Sequence, residues 1–469
     1  MQPGPRTKYD AIIVGAGPAG SAAAILLARA GWAVALVERQ PFPRTKVCGE
    51  CIAASNLPLL EALGIGAAFE ACAGPALRQV RLLRGDSAVT ADLPAANAAR
   101  HPWGRALGRE TLDALLLEQA RAVGADVLQP WRVQAILGRA GAWHCEVRAV
   151  DSATLLRLRA PVVIDAHGSW EELPAARDQR RVARAAGDLF AFKATFTGTT
   201  LSAGAISVLA LNGGYGGMVV GDGGITTVAC CIRRSRLSEL RGAAPGLRAG
   251  DAVQAWLQRE CAGVQQALHG AQRAGPWLAC GPLDTGVRVS ADDEHFRIGN
   301  AAAEAHPILG EGISMALQSA ALLSALLLRH QAALLTPGAA LQAQLQRQYA
   351  AQWRRRFAPR LRLAAVFAHA AMRPRWAAAL IKLAQRWPGL LTHGARWGGK
   401  VQPAELAASA VPAAGGTAIA PAVGTSAATS VDSSGAKSLA TSLATSTSRL
   451  PSRPAGTSTS TAASAAPAP

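Results

Sequence analysis

Hydrophobic positions along the chain fall into two textures. Short β-branched runs at residues 11–14, 33–37 and 161–164 alternate with longer Ala/Leu/Arg stretches of helical spacing, the order that builds a parallel sheet covered by helices. Between residues 187 and 231 the pattern changes to segments rich in Thr, Val, Phe and Gly, with turn signals at Asn212-Gly213-Gly214 and Gly221-Asp222-Gly223-Gly224. Strand-length runs joined by glycine turns predict a second, mainly antiparallel sheet unit. Farther on, Tyr349, Trp353 and Phe357 recur every four residues, and Trp376, Leu380, Leu383 and Trp387 share one face of a predicted helix. Such a stripe reads first as core, a helix packed over the second sheet; the alternative is an interfacial helix with Trp at headgroup level and Arg on anionic lipid. From residue 411 the periodicity stops, leaving Ala, Ser, Thr, Pro and Gly with no aromatic residue. That composition cannot offset its ordering entropy, so a disordered tail is expected, bounded at residues 406–469.

Size and charge sharpen this picture. A chain of 469 residues, half of them apolar and only 17% charged, predicts two or more packed units. The net charge of +18 invites a nucleic-acid reading, but thirteen Lys and Arg residues and no Asp or Glu lie between residues 312 and 404. Most of the excess therefore sits in one basic region, no nucleic-acid module accompanies it, and no nucleic-acid partner is expected. Eight cysteines in so long a chain do not form a dense disulfide framework, which suits a reducing cytoplasm. No signal peptide fits. The run at residues 313–328 carries Ser314, Gln318, Ser319 and Ser324 and falls short of a membrane span. The expected location is cytoplasmic, or peripheral at the inner face of the membrane if the interfacial alternative holds.

The first chemical motif is Gly15-Ala16-Gly17-Pro18-Ala19-Gly20, between an apolar strand and an Ala/Leu helix. Gly15 permits the tight turn, Gly17 lets a pyrophosphate approach the backbone, and Gly20 lets helix pack on strand, with the helix N-terminus facing the phosphates. The next strand ends at Glu38, whose carboxylate suits a ribose diol and repels a 2′-phosphate, favouring FAD or NAD over NADP.

The segment Arg297-Ile298-Gly299-Asn300, followed by Ala301 to His306 and then Pro307-Ile308-Leu309-Gly310-Glu311-Gly312-Ile313, resembles the second flavin motif of the aromatic hydroxylase and geranylgeranyl reductase superfamily, relatives of the flavin halogenases. Phe42-Pro43-Arg44-Thr45-Lys46-Val47-Cys48-Gly49-Glu50 is similar to that superfamily's FPRxKxCGE stretch. Arg109 stands where the family has a cofactor-reaching Arg, and Val163-Ile164-Asp165-Ala166-His167-Gly168-Ser169 matches its GADGxxS turn, with His167 for Asp. The matches span residues 9–320. The resemblance implies FAD as cofactor, held by Gly15, Gly17, Pro18, Ala19, Gly20, Glu38, Arg39, Arg44, Cys48, Gly49, Arg109, Val133, Gly168, Asn300, Pro307, Gly310, Gly312 and Ile313. Asn300 replaces the family's ribityl-binding Asp, so one charge is missing. The implied fold is α/β: a Rossmann-like FAD-binding domain (1–75, 101–185, 281–345), a substrate domain of antiparallel β-sheet (76–100, 186–280), a basic helical region (346–405) and the tail.

The implied activity is FAD-dependent monooxygenation. NADPH or NADH is the electron donor, and a C4a-hydroperoxyflavin formed with O2 oxidises a small lipophilic, aromatic or polyketide-like substrate. The alternative is reduction of an isoprenoid double bond. A redox-silent FAD-binding protein stands as the non-enzymatic option. The reductases' YxWxFP and the halogenases' WxWxIP motifs are both absent; Tyr215 lies where the former would be. His306, in the flavin turn, and Lys193, on an alternating strand opposite a Phe face, are candidate catalytic residues. Their plainer readings are a satisfied histidine and a solvated lysine. Cys48-Gly49-Glu50-Cys51 has redox-relay spacing but no second nucleotide fingerprint supports a disulfide reductase, and no metal-ligand spacing is present.

Overall fold

A computed structural model of the protein describes residues 6–96, 100–169, 185–334 and 339–396. The expected tail, Lys400 and the last residues of the basic region lie outside them. Five parallel strands form the first sheet, in the order Phe296–Arg297, Val162–Asp165, Ala11–Val14, Val34–Val37 and Asp126–Leu128. The central strand is flanked on both sides and covered on both faces, which is why Ala-Ile-Ile-Val is apolar without alternation. Ala11, Ile13, Val34, Leu36 and Ile164 face the helices Pro18–Arg29, Arg109–Ala122 and Gly312–Arg329. Ile12, Val14, Ala35 and Val37 face a three-stranded antiparallel layer of Trp131–Arg139, Ala142–Ala149 and Leu155–Ala160. The helix Gly312–Arg329 is long and apolar enough to cross a membrane, yet 83% of that window is buried in this core.

The second sheet has eight strands. Its path runs Gln272–Arg273, Leu189–Thr197, Thr226–Arg233, Gly214–Val220, Ala205–Leu211, Gln79–Arg84 and Ser87–Asp92, with Leu278–Cys280 also on Leu189–Thr197. Every pairing is antiparallel except that of Gln79–Arg84 with Ala205–Leu211. The helix Ala249–Glu260 seals one face through Trp256, which is wholly buried.

The aromatic stripes separate into two roles: the first is core, as expected, but not over the second sheet, and the second is not core. Tyr349, Trp353 and Phe357, on the helix Ala339–Ala371, are buried against the first sheet's helices rather than over the second sheet. The helix Pro374–Arg386 does lie on the second sheet, presenting Ile381 and Ala384 to Val89 and Leu82, and Ala377 to the cluster of Leu189, Ala210 and Tyr215. Trp376 and Trp387 are left 61% and 57% exposed.

Candidate functional site

The nucleotide turn is built by steric exclusion. Gly15 has φ +100°, and a Cβ there would stand 2.5 Å from the carbonyl oxygen of Ala166; at Gly20 it would stand 1.8 Å from that of Gly15. Both positions therefore admit only glycine. At Gly17 the space is open except for two guanidinium groups: a Cβ would lie 3.8 Å from Arg44 Nη2 and 3.9 Å from Arg109 Nη2. The helix beginning at Pro18 has no side-chain cap on its first turn. An unfilled hollow at Gly17, free helix N–H groups and two cations are what a pyrophosphate requires, so these residues fit FAD.

Asp113, fully buried, organises the cations. Arg109 donates to it through Nε and Nη2, both at 2.7 Å, and Arg44 Nε lies 3.5 Å from its Oδ2. Burial pulls the Arg109 guanidinium down, but Asp113 more than offsets this and keeps it firmly charged. Glu38 is more committed than its sequence position suggests. Oε2 accepts from Ala16 N at 2.8 Å, and Oε1 accepts from Gln40 N and Arg44 Nη1, each at 2.8 Å. The guanidinium beside it weakens the expected repulsion of a 2′-phosphate. Arg39, next along, is half-buried. Val133 has its side chain packed with Val37 and Leu128 in the core, leaving its backbone as the part available to a cofactor.

The second motif abuts the first. Gly299, at φ +58°, would place a Cβ 2.8 Å from that of Ala19, and Gly310, at φ +65°, closes the short 3-10 turn Pro307–Leu309 beside Cys51. Pro307 and Gly312 are exposed at that turn, and Ile313 is buried behind it. Asn300 Nδ2 donates to Ser169 Oγ at 2.8 Å, and Ser169 in turn bonds Glu304, whose carboxyl is raised by burial. Gly168, at φ +90°, follows His167, which with His295 flanks the buried Asp165. Burial raises the Asp165 carboxyl, and the two imidazoles outweigh that and hold it below the usual range.

Lys193 is not solvated. It is 5% exposed and forms an ion pair with Glu50, itself at φ +60°. Glu50 also accepts from Arg109 N at 3.0 Å and Thr227 Oγ1 at 2.5 Å. The strand alternates as expected, but both its faces are covered, so the cation needs a carboxylate. This pairing links the Cys48–Glu50 segment, the start of the Arg109 helix and the second sheet. Cys48 accepts from Glu50 N at 3.3 Å, and burial pushes its thiol up despite nearby Arg109 and Lys193, so it is not poised as a thiolate. Cys48 and Cys51 are not joined in a disulfide, Cys51 Sγ donates to the Gly49 carbonyl at 3.3 Å, and Gly49 has open space around its Cα.

His306 is buried between Tyr215, whose hydroxyl lies 3.2 Å from Nδ1, and Thr285, 3.3 Å from Nε2, with the His369 ring against it. Burial, then His369, lowers its pKa to about 4, while burial raises the Tyr215 phenol well above its ordinary value. A neutral phenol and a neutral imidazole therefore share this hydrogen bond, and the Tyr215 hydroxyl also bonds Cys231. Around them Leu189, Ala191, Ala210, Ile308 and Met372 form an apolar cluster where the second sheet meets the flavin turn.

Three groups of residues escaped sequence reasoning. Glu50 and Thr227 meet Lys193 from distant segments. Asn56, Ser314, Gln318 and Arg360 form a buried chain behind the flavin turn, with bonds of 2.8, 2.9 and 3.0 Å. Asp113 belongs to the Gly108-Arg109-Glu110-Thr111-Leu112-Asp113 segment, which is similar to the superfamily's RxxLDxxLLxxA pattern, but nothing in that pattern marks it as the anchor of two guanidiniums. Elsewhere, Glu61, Glu70 and His101 cluster, with one ring nitrogen of the imidazole 3.0 Å from Glu61 and the other 3.5 Å from Glu70.

Comparison with known proteins agrees with this geometry. The FAD binding domain family matches residues 8–352. Conditioned medium factor receptor 1 of Dictyostelium discoideum is 27% identical over 341 residues, 68% of this chain and 63% of that protein. Menaquinone reductase of Mycolicibacterium smegmatis is 48% identical over 59 residues, 13% of this chain and 14% of that one. This chain thus covers less than two thirds of either relative. The solved structure of a myxobacterial chondrochloren halogenase, an FAD-dependent enzyme, superposes with a TM-score of 0.68 at 19% identity, covering 83% of this chain and 91% of the other. With the pyrophosphate hollow, the paired cations and the second flavin turn in one site, the chain belongs to the FAD binding domain family.

Proposed function

We propose that this protein is an FAD-dependent monooxygenase acting on a lipophilic aromatic or polyketide-like substrate, with NADPH or NADH as electron donor. The observation that carries this reading is the uncharged Tyr215–His306 pair set in an apolar cluster at the flavin turn. When bound, reduced FAD supplies activated oxygen from O2. The chain's own task is then to exclude water and orient an electron-rich ring. Leu189, Ala191, Ile308 and Met372 serve the first need. For the second, His306 offers Nε2 to a substrate hydroxyl that takes the place of Thr285, while Tyr215 anchors the ring at Nδ1. Arg44 and Arg109 hold the diphosphate, Asn300 offers its amide toward the ribityl chain, and Lys193 with Glu50 locks the sheet onto the cofactor-binding segment.

A second reading, reduction of an isoprenoid-type double bond, is favoured by the segment shared with menaquinone reductase. Turnover of lipophilic phenols, quinols and polyprenyl quinones under ¹⁸O2 separates the two. Monooxygenation incorporates label and stops without oxygen. Product formed anaerobically with only hydrogen gained would overturn the first reading in favour of the second, and incorporation of added bromide in place of oxygen would move it to halogenation.

A further inference from the structure

We propose that the helix Pro374–Arg386, with the short helix Gly389–Ala395 after it, docks the protein on an anionic lipid surface. The helix has three faces. Ala377, Ile381 and Ala384 are buried on the second sheet, Ile381 and Ala384 against Val89 at its edge and Ala377 in the cluster around Tyr215. Trp376, Leu380, Leu383 and Trp387, at i, i+4, i+7 and i+11, form a second face. On it Trp376, Leu383 and Trp387 are 61%, 42% and 57% exposed, and Leu390 beyond them is 43% exposed. Arg375, Lys382 and Arg386 make the third, exposed and basic.

The helix cannot roll to hide its indoles. Arg84 Nη2 donates to the Pro374 carbonyl at 3.2 Å, and Thr392 Oγ1 to that of Asp92 at 2.7 Å, pinning both ends of the pair of helices to the sheet. An apolar face carrying two indoles beside a row of cations matches the headgroup boundary of a bilayer, where the indole ring and N–H are both satisfied.

Charge selects the occupant. A second copy of this face would set Arg375, Lys382 and Arg386 against cations of the same kind. Residues 411–469 offer one acid, Asp432, against Lys437, Arg449 and Arg453. No Asp or Glu occurs between residues 312 and 404 to neutralise the row from within the segment. Anionic lipid supplies the missing charge and the apolar layer together. The docked helix begins just after Ala368, Ala371 and Met372, which belong to the apolar cluster around Tyr215 and Ile308, so docking would bring that cluster's edge toward the bilayer whichever reaction the flavin serves.

The test is co-sedimentation of the full-length chain with phosphatidylcholine vesicles, with and without phosphatidylserine, at low ionic strength. Binding is expected only with phosphatidylserine present, weakening as salt rises. Arg375→Glu/Lys382→Glu/Arg386→Glu should weaken it by about a hundredfold, from roughly fivefold per basic residue. Trp376→Ala/Trp387→Ala should also lose binding, together with the part of indole quenching by brominated lipid that these two residues give, at unchanged FAD content and melting temperature. Wild-type protein left in the supernatant, equal binding to neutral vesicles, or binding indifferent to both variants would overturn the proposal. So would a lipid-free dimer, seen by light scattering, that Trp376→Ala/Trp387→Ala dissociates.

Discussion

Asn300 illustrates how one residue's partners can reverse an expectation drawn from a motif. The family's Asp suggests that Asn300→Asp should tighten cofactor binding through a stronger hydrogen bond. Here the Asn300 amide donates to Ser169, which bonds the raised carboxyl of Glu304. An Asp would compete with Glu304 for the single Ser169 proton and add a second carboxylate to the chain. Asn300→Asp should therefore lower stability at pH 7 by about 1–3 kcal/mol, with recovery on mild acidification; urea unfolding across pH checks it, and a gain at pH 7 would refute the proton-sharing argument. His306 carries a separate pH signature. Its folded pKa of about 4 lies below the ordinary 6.5, so the unfolded chain binds the proton first. Its contribution destabilises the fold as pH falls from 6.5 toward 4, by on the order of 3 kcal/mol at the limit. The fold of His306→Gln should lose less stability over that window than wild type. Equal slopes would mean that His306 is not held neutral.

At the scale of elements, Lys193 and Glu50 show what the sequence could not reveal. The alternation in Phe190-Ala191-Phe192-Lys193 predicts a strand, and a strand spans Leu189–Thr197. Whether its polar face meets water depends on a segment 143 residues away, and nothing local encodes that. The nucleotide turns were legible because tight geometry demands glycine in the sequence itself. The pair predicts a double-mutant result. Lys193→Met alone should cost about 3–5 kcal/mol, because it strands a buried carboxylate, while Glu50→Gln/Lys193→Met should recover much of it. Additive losses in urea melts would show that the two side chains do not depend on each other. Arg360 is a parallel case. It reads as one more cation in a basic helix, yet it is 8% exposed and bonds Gln318 behind the flavin turn.

Over the whole molecule, the parallel sheet, the second, mainly antiparallel sheet and the order of the flavin motifs were legible because each is written in local periodicity or in glycine spacing. The division of the aromatic stripes was not. Spacing of four predicts a face without saying what covers it, so Trp353 and Trp376 look alike in sequence while one is in the core and the other in solvent. The assembly as a whole rests on one claim, that the Gly17 hollow, the Arg44 and Arg109 guanidiniums and the helix N-terminus hold the diphosphate of a single FAD. The absorbance spectrum and FAD dissociation constant of the full-length chain beside those of Gly17→Val test it most directly. A yellow protein with one releasable, non-covalent FAD is expected, and for Gly17→Val a soluble fold whose FAD affinity is weaker by roughly a hundredfold or more, about 2.7 kcal/mol. A Gly17→Val protein that kept the wild-type spectrum and affinity would contradict it.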